Sequence, residues 1–304
     1  MKQGGFFMIS KEAEEIIEML RASKKQSKGK EHTAESAVAE RRKIDEIMSA
    51  IPSPQGITVE IVDEDGAKGE FLHLDDDSEK MKGHILLFLH GGGFTNGSAF
   101  SRRQLCSGIV KHARMDAFSV EYRQWPEAVH PAALNDCLDA YRFLIKKGYK
   151  NENIHVFGES AGAMLTLTMI LYLKDQGEPL PKNACVFSPV SGQGSVLESH
   201  ITREERDPMI SAQSVVPYFS QSDFSDPYVS PRYGDFKGFP KLAIHVGTEE
   251  VLFDDSILIE KLCKEAGVDV TMRIWEDMFH VFPLFPCPET EVAIKEIGEF
   301  LKEV

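Results

Sequence analysis

Gly158-Glu159-Ser160-Ala161-Gly162 joins an apolar run, Asn153 to Phe157, to a segment of helix formers, Ala163 to Leu173. The context reads strand, sharp turn, helix. A serine at the tip of such a turn stands clear of the sheet, and the glycines two before and two after it let backbone pass close on both sides. A serine hydroxyl is a poor nucleophile at neutral pH and needs a base to take its proton as it attacks. Of the ten histidines, His280 is the candidate base, because it falls in a loop between the last predicted strand and the final helix. His155 and His245 lie inside predicted strands and read as core residues. The base in turn needs a carboxylate to hold its tautomer, and the stretch Val246 to Asp255 follows the penultimate strand, where that acid should lie. Glu250 is the first choice and Asp254 the second, since Asp254 and Asp255 also suit the start of the next helix, where the dipole favours acids.

A second stretch supplies the complementary chemistry. His90-Gly91-Gly92-Gly93-Phe94 stands directly after the apolar run Ile85 to Leu89. Consecutive glycines expose backbone N–H groups with no side chain in the way, so they can donate to a developing oxyanion at close range. The Lys-Ser/Thr ending of a phosphate-binding P-loop is missing. The N–H of Ala161, next to the serine, would complete the same donor set. His90 reads as the organiser of the glycine loop.

These residues need a scaffold that presents several strand ends together. Continuous apolar runs recur at Ile85–Leu89, Ala117–Val120, Ile154–Phe157, Ala184–Phe187, Leu242–Val246 and Val268–Trp275, with helical stretches at Pro131–Lys147, Ala161–Lys174 and Asp254–Ala266. Alternation of short buried strands with helices predicts an α/β fold, a mostly parallel sheet covered on both faces. Ile57–Val62 and Glu70–His73, separated by Asp63-Glu64-Asp65-Gly66, read as a hairpin at a sheet edge. Ahead of them, Ile16, Ile17, Leu20 and then Ile44, Ile47, Met48, Ile51 recur at helical spacing, with Ser10 and Thr33 as N-caps. The charged stretch Lys24 to Glu31 between those helices reads as a mobile connection. From Val190 to Lys241 the alternation stops; a segment rich in Ser, Asp, Pro and Arg reads as an insertion over the active face.

Composition narrows the partners. The 304 residues carry Lys+Arg 34 against Asp+Glu 48, a net charge of −14 that repels nucleic-acid backbones and anionic membranes alike. No apolar run approaches the length of a membrane span, and a small neutral substrate suits the charge better. Cys106, Cys137, Cys185, Cys263 and Cys287 are scattered and contain no C-x-x-C pair, so they read as buried thiols of a reducing cytoplasm rather than a disulfide frame or a zinc site. The start, Met1 to Phe7, is too short in apolar length for a secretory signal. The edge expected near the C-terminus leaves a homodimer open.

Taken with Tyr122-Arg123-Gln124-Trp125-Pro126-Glu127, His130 to Asp136, Asp207-Pro208-Met209-Ile210-Ser211 and Asp226 to Pro231, the two glycine motifs make the chain, from about Met8 on, resemble the hormone-sensitive-lipase-like esterases of the α/β-hydrolase fold. The resemblance implies a carboxylic ester hydrolase that uses no metal or cofactor. It implies a helical cap from residues 1–52 and part of 191–240 over a catalytic domain of residues 53–304. It puts the nucleophile at Ser160, the acid at Glu250 and the base at His280. The oxyanion hole falls at Gly91, Gly92, Gly93 and Ala161, with Gly91 shaping the loop. Phe94, Trp125 and Tyr218 are the candidate pocket residues, and short to medium acyl chains the expected substrates. The chain departs from the usual pattern at Glu159, Ala163, Glu250 and Gln124-Trp125, which leaves the subfamily unassigned. An amidase, formamidase or peptidase of the same fold, or a receptor without catalysis, are the alternative readings.

Overall fold

A computed structural model describes residues 9–27, 33–211 and 216–303. Two helices come first, α1 (Lys11–Ser27) and α2 (Ala34–Ser49). Ser10 Oγ accepts the Ala13 N–H, and Thr33 with Ser36 closes a capping box, as the sequence leads one to expect. Helix α1 continues through Lys24 to Ser27, so the charged connection expected from Lys24 is helical over its first part; residues 28–32 lie outside the described residues.

The chain then builds one eight-stranded sheet: β1 (Ile57–Glu64), β2 (Ala67–Leu74), β3 (Ile85–Leu89), α3 (Arg103–Ala113), β4 (Asp116–Val120), α4 (Ala132–Lys146), β5 (Ile154–Glu159), α5 (Ala161–Asp175), β6 (Asn183–Phe187), α6 (Glu198–Thr202), β7 (Lys241–Gly247), α7 (Phe253–Glu265), β8 (Val270–Trp275) and α8 (Pro288–Leu301). The strand order is β1-β2-β4-β3-β5-β6-β7-β8. Strands β1, β2 and β4 pair antiparallel and the rest pair parallel. Strands β3, β4, β5 and β6 are buried along their whole length, which is why they read as unbroken apolar runs. The outermost β8 alternates instead, because one of its faces meets solvent.

One core layer packs α4 and α5 on one face of the sheet; the other packs α1, α3 and α8 on the opposite face. Ile16, Ile17 and Leu20 of α1 join that second layer, so burial of this stripe stabilises a helix that would be marginal alone. Helix α2 behaves differently. Only Ala37 is buried in it, and its Ile44 and Met48, with Ile51 just past its end, line a cleft instead.

Because β3, β5, β6 and β7 run parallel, their C-terminal ends meet at one edge. That edge is where the strand order changes direction around β3, the place in open α/β sheets where a crevice forms. The glycine loop, Ser160 and the loop carrying Glu250 all emerge there. Among the described residues no helix is long and apolar enough to cross a membrane, and no three His, Cys, Asp or Glu residues are grouped to hold a metal ion. All five cysteines are buried free thiols.

Candidate active site

Ser160 sits between β5 and α5 with φ 56° and ψ −117°. A non-glycine residue in this region is strained, and the surrounding structure must hold it there. Its N–H donates to Phe187 O on β6 (2.8 Å), and its carbonyl accepts the Met164 N–H of α5 (3.1 Å). The turn also requires that α5 start almost on top of β3. A Cβ on Gly162 would stand 1.9 Å from Leu89 O and 2.5 Å from His90 O, so the second glycine of the motif answers a steric demand. Strand, tight turn and helix thereby raise the Ser160 hydroxyl into the cleft.

His280 Nε2 lies 2.9 Å from Ser160 Oγ, and its Nδ1 lies 2.9 Å from Glu250 Oε2. Glu250 is fully buried and His280 nearly so, at 0% and 2% exposed. Glu250 Oε1 accepts the Gly247 N–H (2.6 Å) and the Ser188 hydroxyl (2.8 Å), which anchors that oxygen and leaves Oε2 to His280. A carboxylate only accepts, so Nδ1 carries the hydrogen and Nε2 turns its lone pair to the serine. Burial pushes the His280 pKa down, but the Glu250 hydrogen bond and charge, with Asp207 and Glu159 behind them, prevail and hold it above the ordinary histidine value. Asp254, the alternative acid, is turned away and accepts the Ser199 N–H (2.7 Å).

The glycine loop is shaped for close approach. Gly92 has φ 125°, and a Cβ there would stand 1.8 Å from Asn96 O; its carbonyl accepts the N–H groups of Thr95 (3.1 Å) and Asn96 (3.0 Å). Among the described residues none accepts from the N–H of Gly92, Gly93 or Ala161, and all three residues line the cleft with Ser160 and His280. Gly91, grouped with the oxyanion hole in the sequence as the residue shaping its loop, is not itself a free donor. Its N–H is committed to Glu159 Oε1 (2.6 Å), and the same oxygen receives Arg102 Nε (2.8 Å), so Gly91 anchors the loop. His90 organises the loop, donating from Nδ1 to Gly91 O (2.8 Å) and stacking on Tyr122 at 4.1 Å. Burial pulls its pKa down to about 3, which keeps the ring neutral. Tyr122 OH in turn donates to His90 O (2.6 Å), and Gln124 Nε2 to Gly97 O (2.9 Å). The Tyr122–Glu127 stretch therefore braces the glycine loop.

Of the three pocket candidates, Phe94 lines the cleft and the other two do not. Tyr218 is 1% exposed, stacks behind Phe94 at 4.9 Å, and accepts the Ala133 N–H on its hydroxyl (2.7 Å). Trp125 is partly buried against the core, and its N–H bonds Phe94 O (2.9 Å). Both support the wall from behind, a role that aromatic character alone does not distinguish from lining.

Three contributions went unread in the sequence. Ser188 at the end of β6 steadies Glu250. Asp207, buried in the insertion, receives the N–H groups of Met209, Ile210 and Val251, which ties the insertion to the residue after the acid. Lys24 of α1 donates to the carbonyls of Glu204 (2.8 Å), Asp207 (2.9 Å) and Ile210 (2.7 Å), joining the N-terminal segment to the insertion across the cleft. The motif Asp207 to Ser211 marks the resemblance, but no spacing rule announces such long-range ties.

Comparison with known proteins agrees with this geometry. A family profile described as the alpha/beta hydrolase fold matches residues 86–284. An acetyl-hydrolase of Streptomyces hygroscopicus is 36% identical over 229 residues, 73% of this chain and 77% of that protein. An esterase of Acinetobacter venetianus is 30% identical over 256 residues, 81% and 83% of the two chains. Among solved structures, an esterase/lipase from an uncultured bacterium superposes with a TM-score of 0.88 at 34% identity, covering 96% of this chain and 98% of that one. An esterase from the bacterial hormone-sensitive lipase family gives 0.87 at 30% identity, covering 97% and 99%.

Proposed function

We propose, given that the chain belongs to the alpha/beta hydrolase family and is a hormone-sensitive-lipase-like serine carboxylesterase, that it cleaves short- to medium-chain esters through an acyl-enzyme on Ser160. The observation that carries this reading is the buried relay from Ser160 through His280 to Glu250, opening onto the same cleft as three N–H groups that have no acceptor among the described residues. Ser160 Oγ attacks the ester carbonyl while His280 Nε2 takes its proton. The N–H groups of Gly92, Gly93 and Ala161 hold the tetrahedral oxyanion. The imidazolium then gives the proton to the leaving alcohol oxygen, and the C–O bond breaks to leave the acyl-serine. Water, deprotonated by His280, attacks that acyl group, and collapse returns the proton to Ser160 and releases the acid.

Residues 9–27, 33–49 and the insertion from Val190 act as the cap, because α2 presents Ile44 and Met48 to the cleft and Lys24 fastens α1 to the insertion. Apolar walls at Phe94, Val190, Val216 and Leu252 suit an acyl chain, and similarity to an acetyl-hydrolase supports the short end of the range. Hydrolysis of p-nitrophenyl esters from acetate to laurate, on wild type and Ser160→Ala in parallel, tests the reading. Turnover that falls with chain length and vanishes in Ser160→Ala is expected; equal activity of the two proteins would remove Ser160 from the mechanism.

A further inference from the structure

Gln193 lies in the loop that leaves β6 and crosses the site. The loop starts at Ser188, which holds Glu250, and ends where Gln193 meets Val216, two residues before the Tyr218 ring that stacks on Phe94 of the glycine loop. The residue is 5% exposed and lines the same cleft as Ser160 and His280. Its backbone N–H donates to Ser230 Oγ (3.0 Å), and its Oε1 accepts the Val216 N–H (3.0 Å). Only an oxygen can accept that hydrogen, so the amide orientation is determined: Oε1 faces Val216, and the Nε2 donors face the other way. Among the described residues Nε2 donates to nothing, nor is it sealed from the cleft as an orphaned buried atom.

We propose that Gln193 is a specificity residue that selects esters bearing a second, uncharged hydrogen-bond acceptor, such as a keto or ether oxygen, apart from the scissile carboxyl. This rests on the esterase reading above. An apolar chain filling the cleft, which Val190, Val216 and Leu252 also line, displaces water from Nε2 and leaves two donors without acceptors. A chain carrying an oxygen at that point replaces the lost hydrogen bond. The preference is therefore set by what the plain ester forfeits as much as by what the substituted ester gains.

The test compares esters matched in length. For an acceptor on the acyl side, p-nitrophenyl 4-oxopentanoate is set against p-nitrophenyl pentanoate; for one on the alcohol side, 2-methoxyethyl butanoate is set against butyl butanoate. The quantity read is the ratio of kcat/KM within each pair, divided by the ratio for alkaline hydrolysis. Wild type should exceed unity in one pair by about tenfold, the value of one hydrogen bond. Gln193→Glu keeps an oxygen for Val216 but loses the donors, and Gln193→Met loses both; each should return that ratio to about unity. A wild-type ratio near unity in both pairs overturns the proposal with no variant needed, as does a raised ratio that survives both substitutions. Absence of any hydrolysis by wild type is a different result, which sinks the esterase reading itself.

Discussion

Replacing Glu250 with Gln preserves shape and removes one property. The Gly247 N–H, 2.6 Å from Oε1, can meet only an oxygen, so the amide carbonyl takes the Oε1 place and the NH2 group takes that of Oε2, 2.9 Å from His280 Nδ1. Two donors cannot face each other there. The imidazole must move its hydrogen to Nε2, which then points at Ser160 Oγ, 2.9 Å away, with no lone pair to receive the proton. An Asp→Asn change at the corresponding place in a Ser-His-Asp triad costs about 10⁴-fold in kcat by this same tautomer switch, or about 5.4 kcal/mol of transition-state stabilisation. The Glu250 carboxylate is likewise buried and bonds the same ring nitrogen, so a loss of that order in kcat is expected here, with little change in KM. The assay is steady-state hydrolysis of p-nitrophenyl butyrate, with circular dichroism to establish that the variant is folded. A folded Glu250→Gln enzyme within about tenfold of wild-type kcat would refute the tautomer argument and the assignment of the acid.

Four further outcomes follow from the geometry. The hydrogen bond and charge of Glu250 outweigh burial and raise the His280 pKa, so the acid limb of kcat/KM should have its midpoint above the ordinary histidine value of about 6.5, and a midpoint at or below it contradicts the account. The same raised value means that the His280–Glu250 pair contributes stability below the unfolded pKa, which is lost as pH rises through the folded one. Gly162→Ala would force a methyl group against Leu89 O and His90 O, at 1.9 and 2.5 Å before relaxation; a loss of about 3 kcal/mol in chemical denaturation is expected, and an unchanged midpoint would mean that α5 does not start where it is placed. Lys24→Met removes three hydrogen bonds to the insertion, so amide exchange over residues 203–211 should speed up roughly 30-fold, equivalent to about 2 kcal/mol, while protection in β5 stays as it was; no change there would show that α1 does not fasten the insertion.

The sheet was legible because its buried strands carry no alternation to confuse: Ile85–Leu89 is apolar throughout since both faces are covered. The elbow was legible for a related reason, a glycine pair that only a close approach of strand and helix demands. Glu250 and His280 stood out as candidates by their place after particular strands, and the hydrogen bonds bring His280 to Glu250 while Asp254 meets Ser199. What could not be read depended on contacts between residues far apart in the chain. How Gly91 shapes its loop is invisible in a run of three glycines, because it depends on Glu159, 68 positions away, accepting the Gly91 N–H. Bulky aromatic character does not separate a residue that lines a pocket from one that backs it: Phe94 covers Tyr218, and Trp125 packs against the core. Helix α3 was passed over among the strand-helix alternations, although Leu105, Ile109 and Val110 bury one of its faces against the sheet. Lys24 sat within a stretch read as mobile, and its hold on three carbonyls comes from the tertiary fold alone.

The central claim is that Ser160 is the nucleophile activated by His280, and covalent trapping addresses it most directly. A fluorophosphonate reacts only with a serine whose proton is being taken by a base and whose developing oxyanion is held. Intact-mass measurement followed by peptide mapping should find one adduct, on Ser160, with complete loss of ester turnover. No adduct should form on Ser160→Ala. An adduct on a different residue, or undiminished turnover after stoichiometric labelling of Ser160, would contradict the account.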